Sequence, residues 1–306
     1  MRPEHTTTDG GDCGLCGGKK FAPVWHRAYP GNVPLPTCIC KNCGLVQTIP
    51  RPSAEELAQF YATQYRVDYS GGAAPGGAER RVMAAQAADR FADLEPHLGA
   101  HSAVLEIGCA TGEFLAILRG AGHSPTGVEA SEACCVEARK VCDNVRLGVI
   151  EDQDFAAGSF DAICLSHVLE HLRYPVATLE LMRRWLRDGG RISLEVPDVR
   201  QPYWGNLSRF FQTAHLYSFS QGTLTAALAK AGFRTLWSRR LVEGKFLRVV
   251  ACKDEHQPRE VAFPVDGWRE VVAATRAWRR KWLFWYKPLP YVRAIARRLG
   301  VRRRRT

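Results

Sequence analysis

The chain has 306 residues, with 42 Lys or Arg against 31 Asp or Glu and a formal net charge of +11. That length accommodates one large domain with appendages and a sizeable buried core. No run of about 18 apolar residues occurs, which excludes a membrane-spanning helix, and the polar stretch from Met1 to Gly11 lacks the apolar core of a secretory signal.

The 11 cysteines, an odd number without an export signal, suggest a reducing compartment and metal ligation or burial rather than disulfides, so a cytoplasmic protein is expected. The charge is unevenly placed. From Trp268 to Thr306 thirteen Lys or Arg face one acid, Glu270, so the body is close to neutral and the tail is the basic element.

Residues 1–50 contain two C-x-x-C pairs, Cys13 with Cys16 and Cys40 with Cys43, separated by 23 residues. Each pair can turn two thiolates toward one point, and two such knuckles complete a tetrahedral zinc site of the ribbon type. Gly14, Gly17 and Gly44 supply backbone freedom at these turns. Cys38 is a spare thiol that could replace Cys40 in an irregular knuckle. Four thiolates leave no open coordination position, so this Zn2+ is read as structural.

Residues 51–98 lead into the main domain. Thr48 to Pro52 is a proline-flanked connector, and Ser53 with Glu56 has the spacing of a capping box. Leu57, Phe60 and Tyr61 give the following helix an apolar face. Tyr61 and Tyr65 either line the substrate mouth or pack. Gly71 to Gly77 is a glycine-rich link, and a helix is expected from about Glu79 to Leu94.

Residues 99–255 alternate strand and helix. Strands are expected over 103–107, 124–129, 145–149, 160–165 and 191–196, with helices over 112–121, 131–142 and 175–187. This alternation specifies an α/β fold with a mainly parallel, doubly wound sheet. A helix over 221–231 and strand-like runs over 234–242 and 246–253 follow, and a hairpin there would complete a seven-stranded sheet.

The organising stretch is Val104 to Gly112, VLEIGCATG. An apolar strand ends in a small-residue turn and a helical pattern starts at Phe114, which is where doubly wound folds bind nucleotide-like ligands. The glycines alone fit any nucleotide-binding turn. Glu106, two residues before the first glycine, suits a ligand bearing an ammonium or sulfonium charge. Glu129 closes the next strand, 17 residues past Gly112, where a carboxylate can accept both ribose hydroxyls.

The pattern E-x-G-x-A-x-G resembles motif I of class I S-adenosylmethionine-dependent methyltransferases, with Ala110 in place of the usual middle glycine. Ser159 to Leu172 resembles the fourth-strand motif of these enzymes, and Leu186 to Pro197, with its Gly-Gly turn, the run into the fifth strand. The ribbon, CGLVQ, prolines and EELAQFYATQY, in that order, look like the N-terminal module of bacterial sugar and polysaccharide methyltransferases. The resemblance implies a Rossmann-like seven-stranded methyltransferase sheet with S-adenosyl-L-methionine as cofactor. It places the cofactor on Glu106, Gly108, Cys109, Ala110 and Gly112, on Glu129, Ala130 and Ser131, on Glu151 and Asp152, and on Ser166 and His167.

Glu170 and His171 fall on the turn after the fourth strand, near the crevice at the carboxyl end of the sheet, unless they only make local hydrogen bonds. Gln201 to Ser220 is a polar and aromatic insertion of the kind that overlies the transferred methyl. Within it, His215 is the candidate base, with His171 the second candidate catalytic residue. An imidazole near its usual pKa of about 6.5 can take a hydroxyl proton as the methyl moves. The run His-Leu-Tyr-Ser-Phe-Ser is similar to, but not identical with, the H-x-x-Y-F-S-like context in related sugar methyltransferases, and a histidine among aromatics also serves structure alone. No Asp or Asn-Pro-Pro-aromatic motif follows the fourth strand, which counts against exocyclic-amine methylation. No Pro-Cys nucleophile stands there, which counts against cytosine C5 chemistry.

Residues 256–306 form the basic amphipathic tail. Trp268, Val271, Val272, Trp278, Trp282, Trp285 and Tyr286 fit one helical stripe, with Arg269, Arg276, Arg279, Arg280 and Lys287 largely elsewhere. A second basic segment follows Pro290. This pattern describes a helix on an anionic membrane surface. Nucleic acid is the second partner considered, and packing of the first helix on the domain the third.

The expected function is O-methylation of a sugar hydroxyl in a glycan or glycolipid acceptor at the inner membrane face. Absence of the extra C-terminal domain of longer sugar C-methyltransferases favours the O-methyl product. Natural-product or quinone O-methylation, RNA methylation and a non-catalytic cofactor-binding partner subunit are the alternatives.

Overall fold

The computed structural model describes residues 11–25, 36–53, 55–57, 75–202, 207–212, 214–241, 245–254, 261–263 and 267–285. Tyr61, Tyr65, most of the helix expected after Ser53, most of the glycine-rich link and the second basic segment lie outside them. The start of that first helix is described. Ser53 N–H donates to Glu56 Oε2 at 2.7 Å and Glu56 N–H to Ser53 Oγ at 3.1 Å, the two reciprocal bonds of a capping box.

The N-terminal strands β1 (Phe21–Trp25), β2 (Thr37–Cys40) and β3 (Val46–Thr48) form an antiparallel meander. Helix α1 (Gly77–Leu94) then leads into the larger sheet. Its first strands are β4 (Ala103–Ile107), β5 (Ser124–Glu129), β6 (Val145–Leu147), β7 (Phe160–Ser166) and β8 (Leu186–Pro197). Between them run α2 (Glu113–Gly120), α3 (Glu132–Ala138) and α4 (Pro175–Trp185). Short α5 (Leu207–Phe210) and β9 (Tyr217–Ser218) lie in the insertion. Helix α6 (Gln221–Lys230) and the hairpin β10 (Phe233–Leu241) and β11 (Phe246–Lys253) close the domain, and α7 (Gly267–Trp285) follows.

The large sheet has the order β10-β11-β8-β7-β4-β5-β6. Its five strands from β8 to β6 are parallel, and the β10-β11 hairpin is antiparallel to them. The seven-stranded α/β sheet expected from the strand and helix alternation is therefore present. Central strands β4 and β7 are buried along nearly their whole length, as expected for strands covered on both faces. The helices bury one side each, through Phe114, Leu115 and Leu118 in α2 and Val176, Leu179, Met182 and Trp185 in α4.

Element limits differ from expectation by up to two residues at several ends and by more at two places. The helix expected over 131–142 ends at Ala138. Arg139 just beyond it donates from Nε and Nη2 to Val145 O at 3.2 and 3.1 Å, drawing the chain onto the edge strand. The fifth parallel strand begins at Leu186 rather than 191, because Leu186 pairs with Phe160 before Arg191 resumes the ladder at Ala162. The Gly189-Gly190 turn is a bulge within the strand, not its boundary.

The insertion joins the two sheets. β9 adds to the meander as a fourth strand, with Val46 paired to Ser218 and Gln47 to Tyr217, and Thr48 N–H donates to Leu216 O at 2.9 Å. Phe219 bridges to Asp198 just past β8. Tyr217 is fully buried; its hydroxyl donates to Arg173 O at 2.9 Å and accepts from Arg51 Nη1 at 3.0 Å. The ring lies so close to the first knuckle that a Cβ at Gly14 would stand 2.5 Å from Tyr217 Oη.

The described half of the tail helix packs on protein. Val271 is buried, and Trp268, Val272 and Trp278 pack against Trp25, Ile39 and Val46 of the meander and Val199, Leu207, Phe210 and Phe211 of the insertion. Trp278 Nε1–H donates to Arg200 O at 3.0 Å. Arg269, Arg276, Arg279, Arg280 and Lys281 are exposed. The side chains of Trp282 and Trp285 lie outside the described set. Among the described residues no helix is long and apolar enough to cross a membrane.

If Tyr217 clamps β9 between the meander and the domain, Tyr217→Ala will lower stability by about 3–5 kcal/mol and Tyr217→Phe by about 1–2 kcal/mol. Urea unfolding checks this; an unchanged midpoint for the alanine variant would show that the clamp lies elsewhere.

Candidate active site

The turn after β4 is held in left-handed backbone: Gly108 has φ 73°, Ala110 46° and Gly112 86°. A Cβ at Gly108 would lie 2.6 Å from Val168 Cγ2, so close approach as well as φ requires glycine there. Ala110 tolerates the same region because its backbone is fixed. Its N–H donates to Glu129 Oε2 at 2.9 Å, while Ser131 N–H donates to Oε1 at 2.8 Å. One carboxylate thus ties the turns after β4 and β5 together. Ser131 also caps α3 by accepting from Cys134 N–H. Ala130 beside it is exposed, as are Glu151 and Asp152 in a short turn after β6.

Glu106 is 4% exposed, and its Oε2 accepts no hydrogen bond among the described residues. Burial raises its pKa to about 8, against the lowering effect of Arg90, whose Nη2 is 4.0 Å away. A buried carboxyl with an unsatisfied oxygen is stabilised by an incoming cation. This fits an ammonium- or sulfonium-bearing cofactor beside the turn. Cys109, on the turn itself, is buried, and burial pushes its thiol well above the ordinary range. It packs as an apolar residue.

At the far side, Ser166 ends β7 and His167 follows with φ 56°. His167 Nε2 is 3.2 Å from Glu195 Oε1, and its Nδ1 is 3.5 Å from Glu170 Oε1. Burial disfavours charge on this ring, but the two carboxylates outweigh it and raise the pKa to about 9. The turn Leu169–His171 comes next, with Glu170 1% exposed. His171 and the candidate base His215 meet there edge to face, ring centroids 5.0 Å apart. Each directs Nδ1 at a backbone carbonyl 2.9 Å away, Ala214 O for His171 and Phe210 O for His215. Burial, then the neighbouring His171, lowers the His215 pKa to about 3; burial lowers that of His171 too. Both rings are neutral near pH 7, and burial makes His215 a weaker base than the imidazole of pKa about 6.5 expected from the sequence. The fold therefore brings together His171 and His215, which are far apart in sequence.

Sequence reading missed the support of this side. Glu195 on β8 accepts from Arg248 Nε at 2.9 Å and Nη2 at 2.6 Å, and Arg248 also pairs with Asp89 and Asp93 of α1. Burial opposes the charge on Glu195, but His167 and Arg248 hold its pKa down to about 2. Arg248 sits in a hydrophobic strand, and a lone Arg in such a run is the signal that a buried partner exists.

The four-cysteine cluster lies in the meander. Cys13 and Cys43 sulfurs are 3.5 Å apart, as are those of Cys16 and Cys40, and all four lie within 4.8 Å of one another. A tetrahedral zinc with bonds of about 2.3 Å needs sulfur separations of roughly 3.8 Å, so the set fits that ion. Cys38 on β2 is not in the cluster.

Comparison with known proteins agrees with this geometry. A family model described as "Methyltransferase domain" matches residues 79–237. A 37.1 kDa protein of transposon TN4556 from Streptomyces fradiae is 34% identical over 103 residues, covering 31% of this chain and 30% of that protein's length. Among solved structures, the 1,6-didemethyltoxoflavin-N1-methyltransferase of Burkholderia thailandensis, with bound S-adenosylhomocysteine, superposes with a TM-score of 0.54. It is 21% identical, covering 69% of this chain and 96% of that one. An S-adenosylmethionine-dependent methyltransferase from Mesorhizobium loti matches at a TM-score of 0.46 and 17% identity, over 53% of this chain and 97% of that one.

Two outcomes test the cofactor side. Glu129→Ala is expected to weaken S-adenosylhomocysteine binding by about tenfold or more, since ribose contacts and turn geometry are lost together; unchanged affinity by calorimetry would remove Glu129 from the site. Glu106 holds its proton below about pH 8, so entry of the cationic cofactor at pH 7 should expel that proton. Calorimetry of S-adenosylmethionine binding in buffers of differing ionisation enthalpy reads the release, and Glu106→Gln should abolish it.

Proposed function

The chain belongs to the methyltransferase domain family and is an S-adenosylmethionine-dependent methyltransferase, and from that premise we propose that it methylates a sugar hydroxyl of a glycan or glycolipid. The observation that carries this reading is the neutral His171–His215 pair with buried Glu170 at the end of β7. A hydroxyl must lose its proton as it takes a methyl, and this cluster is where the proton leaves.

When bound, the cofactor supplies a methyl on a sulfonium leaving group, so the chain's own task is alignment and exclusion of water. Glu106 meets the positive charge and Glu129 the ribose, while Gly108 lets the backbone come close. Both histidines present the same tautomer, with Nδ1–H on a carbonyl and the lone pair on Nε2. The insertion that carries His215 covers the same end of the sheet.

A zinc on Cys13, Cys16, Cys40 and Cys43 holds the N-terminal meander and has no part in the transfer. The glycan assignment is supported by the resemblance of the N-terminal module, and of the sequence around His215, to bacterial sugar methyltransferases. The exposed basic side of α7 supports an acceptor presented at an anionic membrane surface. Since Trp268 and Trp278 pack on protein, that attraction would come from charge rather than from their insertion into lipid.

His215→Ala should leave S-adenosylhomocysteine affinity unchanged and lower kcat by about 10²–10⁴-fold; an undiminished rate would remove the cluster from the reaction. Methyl-labelled S-adenosylmethionine incubated with extract, followed by separation of lipid, glycan and RNA, tests the acceptor. Label in glycolipid or glycan is the expected result, and label confined to RNA would overturn it.

A further inference from the structure

We propose that Glu170, His171 and His215 form a second metal site, binding a divalent transition cation such as Zn2+ beside the cofactor crevice. The proposal deepens the reading of this cluster as the place where the acceptor hydroxyl ionises. Its argument is geometric. One carboxylate oxygen of Glu170 and one ring nitrogen from each histidine lie within 4.8 Å of one another.

The hydrogen bonds of the two rings fix which of their nitrogens are able to bind a cation. A backbone carbonyl only accepts, so the Nδ1 atoms that meet Ala214 O and Phe210 O carry the protons. The Nε2 atoms of the neutral rings then carry lone pairs. A ring nitrogen pinned by an Nδ1–H to carbonyl bond is the usual support of a metal-ligating histidine. His171 Nε2 faces Glu170 Oε1 at 3.8 Å, and neither of those two acceptors can donate to the other.

Glu170 supplies the second observation. Its side chain is 1% exposed, and neither carboxylate oxygen accepts a hydrogen bond among the described residues. Desolvating both oxygens of a carboxylate without a donor is costly. His167 is charged and has an N–H on each nitrogen, but its Nδ1 stands 3.5 Å from Oε1, too far for a well-formed hydrogen bond, while Nε2 meets Glu195 at 3.2 Å. It balances charge without satisfying the lone pairs. A cation bonded at about 2.1 Å to nitrogen and oxygen needs donor separations of roughly 3.4 Å, so the 3.8 Å contact needs only a small inward movement. Gln212 Nε2, 3.2 Å from His215 Nε2, is the contact the cation replaces.

Two histidines and one carboxylate leave coordination positions open, unlike the four-cysteine cluster. An acceptor hydroxyl taking one of them is acidified as metal-bound water is. Its O–H bond would break, the electron pair staying on oxygen and the proton leaving to solvent; as that oxygen bonded to the methyl carbon, the carbon–sulfur bond would break and its electron pair return to sulfur, leaving the neutral thioether of S-adenosylhomocysteine.

The test is metal content, which needs no substrate. The full chain, equilibrated with Zn2+ and then dialysed, should retain about two equivalents of zinc, one on the cysteines and one here. Glu170→Gln and His171→Gln should each retain about one, with S-adenosylhomocysteine binding showing that the domain is folded. With Co2+ as the probe, the wild type should add a visible band set without thiolate charge transfer, absent in both variants. Retention of a single equivalent by the wild type, or of two by both variants, would overturn the proposal. Transfer activity in a one-equivalent protein would sink the metal site and leave the methyltransferase reading standing. Two equivalents in a protein that labels only RNA would sustain the site and sink the glycan reading.

Discussion

The placement of His215 depends on a two-residue strand. β9 pairs Tyr217 and Ser218 with Gln47 and Val46 of the meander, and His215 lies two residues upstream. A pairing this short is marginal by itself. It persists because Tyr217 is buried against Gly14, Arg51 and Arg173, and because Phe219 is tied to Asp198 on the other side. The insertion is thus stretched between two sheets, and the histidine sits where the two meet. The N-terminal module is joined through β9 to the insertion that carries His215.

Four buried carboxylates line the same end of the large sheet, and their surroundings separate their roles. Glu129 accepts one backbone N–H on each oxygen, which braces the two turns and leaves acceptor capacity for a ribose. Glu195 is matched to Arg248 and His167 and keeps its charge. Glu106 is left with one unsatisfied oxygen and holds a proton until a cation arrives. Glu170 has two unsatisfied oxygens and histidines around it. Glu106 and Glu170 are thus the two of the four that keep oxygens without a hydrogen bond among the described residues.

The parts of this arrangement that rest on local spacing were legible in the sequence. The strand-turn-helix at 104–114, the paired C-x-x-C knuckles and the capping box at Ser53 all follow from residues within a few positions of one another. The alternation of apolar runs likewise located the strands of the large sheet to within a few residues. Pairings across long separations were not legible. Nothing near Tyr217 announces that it will complete a sheet begun at Phe21, and nothing near Arg248 names Glu195 or Asp93 as its partners. The tail shows the same limit from the other side. Its helical period was clear, but an apolar stripe of tryptophans looks alike whether it faces lipid or protein, and only the cluster with Trp25 and Phe211 reveals what covers Trp268 and Val271.

The order of dependence then runs from the sulfurs to the chemistry. A structural zinc in a small domain contributes on the order of 10 kcal/mol to its folding, far more than two ladder pairings. With zinc on the four cysteines, as proposed above, β3 is a rigid edge before β9 arrives, and burial of Tyr217 then fixes the insertion on it. Helix α7 closes the same seam, laying Val271 and Trp278 over the junction of meander and insertion while its arginines stay in solvent. Without the sulfur cluster, β9 would lose its preformed edge, and the insertion would be held near His171 only by its other contacts, among them His171 Nδ1–H on Ala214 O and the Phe219–Asp198 bridge. A protein without zinc on the four cysteines would therefore keep its cofactor turn, which rests on β4, β5 and Glu129, and hold the histidine pair less firmly. On the roles proposed for Glu129 and the histidine pair, cofactor binding and methyl transfer are held by different parts of the chain, and the ribbon supports the second from outside the reaction.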